Sequence, residues 1–197
     1  ACCVRHIRDG RSKQRPYKKQ VWMQKKGRDV LITGFPPIIA AQARVLILGS
    51  MPGQRSLAHN QYYAHPQNQF WPLMGKLCGA DPQLPYAERI ARLNTAGIAL
   101  WDVLKYCERN GSLDASIISE TEVPNDFQDL LDEYALLRAV CFNGQKAEKA
   151  FLRHVKPSLK AKTLSHLELI ALPSSSPANT SLNQTAKLRE WQTILRY

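Results

Sequence analysis

An α/β fold is predicted for this 197-residue chain, a three-layer α/β/α sandwich around a central, mostly parallel four-stranded sheet. Three observations predict it. Four short runs are almost wholly apolar, as strands covered on both faces are. Segments of helical periodicity separate them. Residues that stop or turn the chain close each run: Gly49, Asp102, Asn143-Gly144 and Pro173.

The elements follow in order. Gly34-Phe35-Pro36-Pro37 is a proline-fixed, extended lead-in. Residues 43–48 form the first strand, residues up to about 66 a loop, and residues 68–77 a helix. A second helix spans 86–94 and stops before Gly97, and the second strand is 98–101. Asn125 is placed to cap a helix ending at Leu131, with Phe127, Leu130 and Leu131 on one face. The third strand is 138–142 and its following helix 145–155. The fourth strand is 167–172, and a last helix, about 182–195, buries Leu188, Trp191 and Leu195.

Charge divides the chain. The net charge is +11, from 27 Lys+Arg against 16 Asp+Glu. Residues 1–28 supply +9 of it through ten basic side chains and the single acid Asp9, leaving +2 for residues 29–197. Residues 1–28 therefore read as a basic, disordered tail on a single α/β domain, either a solvated segment or a phosphate-binding arm. The composition break at Met23 also allows that residues 1–22 lie outside the natural protein. No apolar run is long enough for a bilayer or resembles a secretory signal, so no membrane association is expected. A cytoplasmic location follows, nucleoid-associated in a bacterium. Five scattered cysteines without a CxxC pair give no metal site and no disulfide framework.

Ligands of such a sheet bind beyond the carboxyl ends of its strands, and three unusual segments fall there. The first is Gly49-Ser50-Met51-Pro52-Gly53 followed by Asn60-Gln61-Tyr62-Tyr63-Ala64-His65-Pro66-Gln67-Asn68-Gln69-Phe70-Trp71. Its glycines permit a tight turn and close backbone approach. Its rings, amides and imidazole suit stacking a planar heterocycle and reading its edge. Phe70 and Trp71 belong in the core; Tyr62 and Tyr63 fit either packing or a ligand. The second segment is Asp102 with its neighbours. The third is Leu172-Pro173-Ser174-Ser175-Ser176-Pro177-Ala178-Asn179, a stiff loop with backbone N–H groups and hydroxyls suited to a phosphate, or equally a plain connector.

Together the first and third segments resemble the two motifs of the uracil-DNA glycosylase superfamily. Gly-Ser-Met-Pro-Gly, Tyr-Tyr-Ala-His-Pro and Gly97-Ile98-Ala99-Leu100-Trp101-Asp102-Val103 are similar to the deoxyinosine (hypoxanthine)-DNA glycosylase branch, and more distantly to the mismatch-specific uracil enzymes. The resemblance covers about residues 34–197. It implies a monomeric, monofunctional glycosylase of base excision repair, acting on double- or single-stranded DNA that contains a deaminated base. No metal and no cofactor is required.

The resemblance also implies roles. Tyr63 is the stacking platform. Asn68 orients water or binds the purine, with helix capping as its other reading. Gly49, Ser50, Met51 and His65 surround the base; His65 either orients the loop or touches it. Asp102 and Asn143 contact sugar or base, or serve local turns. Ser174, Ser175 and Ser176 grip phosphates, and Pro177, Ala178 and Asn179 complete the second motif. Ala178 falls near the intercalating wedge but is small. Met51 stands where many members carry a water-positioning Asn or Asp, which points away from ordinary uracil excision. Met51 also supports a rival, a nucleic-acid-binding protein that kept the fold and lost catalysis; a uracil or mismatch glycosylase is a further alternative. A serine hydrolase fits poorly, because the Ser50 segment does not match the G-x-S-x-G elbow.

Overall fold

The computed structural model describes residues 30–197. Expectations for residues 1–28 lie outside them. The chain runs through β1 (Val30–Thr33), β2 (Val45–Gly49), α1 (Gln54–His59), α2 (Phe70–Cys78), α3 (Tyr86–Thr95), β3 (Ile98–Asp102) and β4 (Leu104–Arg109). It continues through β5 (Val123–Pro124), α4 (Phe127–Glu133), β6 (Ala139–Asn143), α5 (Gln145–Ala150), α6 (Ala161–Leu164), β7 (Glu168–Leu172) and α7 (Gln184–Trp191).

The central sheet has the order β3-β2-β6-β7, and every pairing in it is parallel. β2 is wholly buried because it lies inside the sheet and both faces are covered. The pleat then divides the core. Leu46 and Leu48, with Val140, Phe142, Ala99 and Trp101, face α4 and α5. Val45 and Ile47, with Ile98, Leu100, Ala139 and Cys141, face α2, α3 and α7 through Phe70, Trp71, Leu73, Met74, Leu93 and Trp191. Leu46, Ile47 and Leu48 are fully inaccessible, each worth roughly 1.5–3 kcal/mol relative to exposure. The three-layer sandwich is therefore present, with its four strands in the expected places.

A second, smaller sheet was not expected: β1-β4-β5, all antiparallel, which packs Ile32, Leu104 and Cys107 into the core beside α4. A backbone bridge from Ile38 to Leu100 covers the free edge of β3.

Several local expectations are corrected. The supposed loop after Gly49 contains α1. Asn125 does not cap α4; the Asp126 carboxylate accepts from the Asp129 N–H instead, and Asn125 Nδ2 donates to the Asp102 carbonyl at 2.8 Å. The helix expected over 145–155 is α-helical only to Ala150 and continues as a π-turn, Phe151–Val155. The last helix begins at Gln184, and it is Ile194, not Leu195, that is buried. Beyond Trp191 the chain tightens to a 3-10 turn, whose three-residue period brings Ile194 under Trp191 and leaves Leu195 55% exposed. Cys78, Cys107 and Cys141 are free thiols.

Candidate active site

The carboxyl ends of β3, β2, β6 and β7 stand side by side, so Asp102, Gly49-Ser50, Asn143 and the loop after Leu172 border one region. Gly49 pairs with Asp102 in register. A Cβ at Gly49 would stand 2.4 Å from Asp102 Oδ1 and 3.3 Å from the Tyr63 hydroxyl. The glycine therefore admits the protein's own carboxyl and phenol, which the sequence had suggested only for a ligand. Gly53 shows no such crowding: nothing approaches its empty side-chain position closer than 3.9 Å.

Those two groups are unusual for buried polar atoms. Asp102 is 3% exposed and its Oδ2 has no hydrogen-bond partner. Burial pushes its carboxyl up to about 8, the Asp114 charge pushes the same way, and Arg109 opposes both. At neutral pH Asp102 is therefore largely protonated and can donate as well as accept. The Tyr63 hydroxyl is also without a partner: the Asn143 amide is near enough to favour ionisation but does not meet hydrogen-bond geometry. Burial, then Asp102, hold this phenol above its ordinary range. Tyr63 adopts a left-handed φ of 54° and stacks on Phe70, with centroids 3.9 Å apart at 20°. Phe70 thus occupies one face of the expected platform, leaving at most the other for a base.

Buried polar atoms are nearly always paired, so orphans need a reason. Among the described residues six such side-chain atoms lack partners, and four belong here: Tyr63 Oη, Gln69 Oε1, Asp102 Oδ2 and Arg109 Nη1. Arg109 gave no signal in the sequence. It is 1% exposed on β4, and its Nη2 donates to the Pro52 carbonyl and its Nε to Gly111 O at 3.1 Å. It places a buried cation behind the first-motif turn. Asp114 was missed as well; its Oδ1 accepts from the Ser50 hydroxyl at 2.6 Å.

Asn68 Oδ1 accepts from the Phe70 N–H at 2.9 Å, which caps the start of α2, while the amide Nδ2 is not used by that bond. His65 Nδ1 accepts from the Gln67 N–H at 3.2 Å and so shapes the loop. The Met51 side chain is 6% exposed and packs in the core.

The second motif is latched to the sheet by Asn143. Its Oδ1 accepts from the Ser175 N–H and its Nδ2 donates to Ser175 Oγ, both at 2.8 Å. Gly144, at φ 98°, lets the loop close over it, since a Cβ there would meet Ser174 Cβ at 2.8 Å. Ser175 is fully buried and committed to Asn143, which removes it from the phosphate-gripping set. The Ser174 and Ser176 oxygens accept from the N–H groups of Ser176 and Ala178, bonds that do not use the hydroxyl protons. Asn179 staples the loop internally, donating to Ser174 O and accepting from Ser181. Pro177 and Ala178 are exposed. Below the loop, Lys187 is fully inaccessible; its amine donates only to Asn179 O at 3.5 Å, and burial lowers its pKa.

Asn143→Ala should cost about 2–4 kcal/mol of stability, because it strands the buried N–H and hydroxyl of Ser175. A urea titration measures this; a loss under about 0.5 kcal/mol would mean that the latch is dispensable.

A parallel-sheet sandwich with its polar groups gathered at the carboxyl ends of β2 and β3, beside a serine–proline loop, puts the candidate site where sheets of this class bind their ligands. The chain belongs to the uracil DNA glycosylase superfamily, whose family profile matches residues 36–196. Two relatives are called hypoxanthine DNA glycosylase. That of Methanosarcina acetivorans is 37% identical over 165 residues, covering 83% of this chain and 98% of that protein. That of Methanosarcina barkeri is 41% identical over 147 residues, 74% and 87% respectively. The fold also matches the solution NMR structure of a candidate uracil DNA glycosylase from Methanosarcina acetivorans, with TM-score 0.69 and 34% identity over 85% of this chain and 98% of that one. No helix among the described residues is long and apolar enough to cross a membrane.

Proposed function

We propose that this protein is a monofunctional DNA glycosylase that releases hypoxanthine from deoxyinosine in DNA. The observation that carries the reading is the pair of buried, unpartnered groups, Asp102 Oδ2 and Tyr63 Oη, whose side chains converge on Gly49 at the carboxyl end of β2. The names of the two Methanosarcina relatives support the choice of base.

N-glycosidic cleavage leaves positive charge on the deoxyribose and an electron pair on the departing base. Asp102, protonated at neutral pH, supplies the proton that the base takes as the C1′–N9 bond breaks. Water adds to C1′ and its released proton returns to Asp102 through solvent, so the products are an abasic sugar and neutral hypoxanthine. Asn68 directs that water or a base edge through its Nδ2. The free face of Tyr63 stacks the base, and the Ser174 and Ser176 hydroxyls hold the backbone. The alternative of a binding protein without catalysis is disfavoured because such a protein has no use for a buried, unpaired carboxyl, which costs stability. Met51 supports that rival less than the sequence suggested, since its side chain lies in the core.

The test is a panel of duplexes with hypoxanthine, uracil, xanthine or a mismatch, treated with alkali after incubation. Hypoxanthine should leave fastest, and strands should break only after alkali. Faster uracil release overturns the base assignment. Borohydride should trap no covalent adduct, because neither motif contains a lysine and Lys187, beneath the second motif, is fully inaccessible.

A further inference from the structure

Beside the site runs a loop, residues 110–114, of which the chemistry above involves only Asp114, through its charge beside Asp102. It is held rigidly. Arg109 Nε donates to Gly111 O at 3.1 Å, the Gln54 N–H donates to Ser112 Oγ at 3.1 Å, and the Ser116 N–H donates to Leu113 O at 3.0 Å. The Ser50 hydroxyl donates to Asp114 Oδ1 at 2.6 Å, which ties the loop to the first motif itself. In the middle of these four pins, Leu113 leaves 59% of its surface exposed.

We propose that Leu113 is the side chain that enters the DNA base stack when the target nucleotide is extruded. The inference rests on the proposed glycosylase function. A duplex that loses one base from its stack gains by having the gap filled with an apolar wedge. Such a wedge must be large, apolar, exposed beside the site and fixed relative to it. The second-motif loop offers only Ser174, Ser176, Pro177 and Ala178 near its turn, none of them a large aliphatic side chain. Leu182 is the competing leucine, 36% exposed, but it lies beyond Asn179 and next to the Asn183 cap of α7, with no bond joining its neighbours to the first motif. Leu113 is more exposed, and both of its sequence neighbours bond the first-motif turn or the helix that follows it. The occupant is the interior of a paired DNA stack; a free nucleoside or single strand has no gap to fill.

Three variants, Leu113→Ala, Leu113→Met and Leu182→Ala, are compared on two substrates, deoxyinosine in a paired duplex and in a single strand. Leu113→Ala should slow single-turnover release from the duplex about tenfold or more and leave the single strand within about twofold. Leu113→Met should restore most of the duplex rate, and Leu182→Ala should match wild type on both. A second readout does not depend on cleavage. With 2-aminopurine placed next to a stable abasic-site analogue, wild type should raise the fluorescence on binding and Leu113→Ala should not. Equal loss on both substrates, no loss on the duplex, or duplex-selective loss in Leu182→Ala instead would overturn the proposal. Absence of hypoxanthine release by wild type on both substrates would refute the glycosylase reading alone, and the fluorescence arm would still decide the wedge.

Discussion

Asp102→Asn is expected to slow single-turnover hypoxanthine release about 100-fold, the scale of losing one general acid, while making the protein more stable at alkaline pH. The amide keeps the shape of the carboxyl and can still donate a hydrogen bond, but it cannot transfer a proton. The stability effect has a definite sign. Burial raises the native pKa of Asp102 from 3.8 to about 8, helped by Asp114 and opposed by Arg109. Between those values the native state binds more protons here than the unfolded chain does, so wild type loses stability as pH rises. The limiting slope is about 1.4 kcal/mol per pH unit. Below about pH 4 both states are protonated and the contribution is whole; above about 8 the loss is complete. The difference in melting temperature between Asp102→Asn and wild type should therefore widen from pH 5 to pH 8 and then level off. The wild-type rate should also fall as pH passes through about 8, with Tyr63, Tyr86, Asp114 and Arg109 as the other titratable groups that interact with this carboxyl. A wild-type rate flat from about pH 6 to 9.5, with Asp102→Asn nearly as fast, would remove Asp102 from the chemistry.

The central sheet was legible because strands covered on both faces must be apolar throughout, as the Val45–Gly49 and Ala139–Asn143 strands are. The small sheet was not, because β4 mixes Lys105, Glu108 and Arg109 with Leu104 and Cys107, a pattern that reads as surface. Burial of an arginine depends on where carbonyls such as those of Pro52 and Gly111 lie in space, and no local pattern encodes that. The site was legible in its residue types and less so in its contacts. Gly49 stood out as a glycine at a strand end, yet what approaches it is Asp102, more than fifty positions away. Ser175 looked equivalent to its two neighbours. Only the parallel pairing of β6 with β7, which brings Asn143 alongside Leu172, shows that this serine is consumed by a latch.

Asn68→Ala is expected to cost both rate and stability, and the two losses have separate origins. Its Oδ1 accepts from the Phe70 N–H at 2.9 Å, so removing it strips the start of α2 of a cap worth about 1 kcal/mol. Its Nδ2 is not used by that cap, and if this group steadies water or the departing base, single-turnover cleavage should fall about 100-fold or more, the scale of one preorganised polar group. Asn68→Ser separates them. A serine hydroxyl can accept from the N–H two residues on, so the cap is largely kept while the amide donor is lost. The melting temperature of Asn68→Ser should return close to wild type and its cleavage rate should stay low. Binding to a duplex with an abasic-site analogue should change little in either variant, because the Ser174 and Ser176 hydroxyls remain. Should Asn68→Ser regain the rate along with the stability, the amide has no part in the reaction, and Asn68 is a helix cap beside the site.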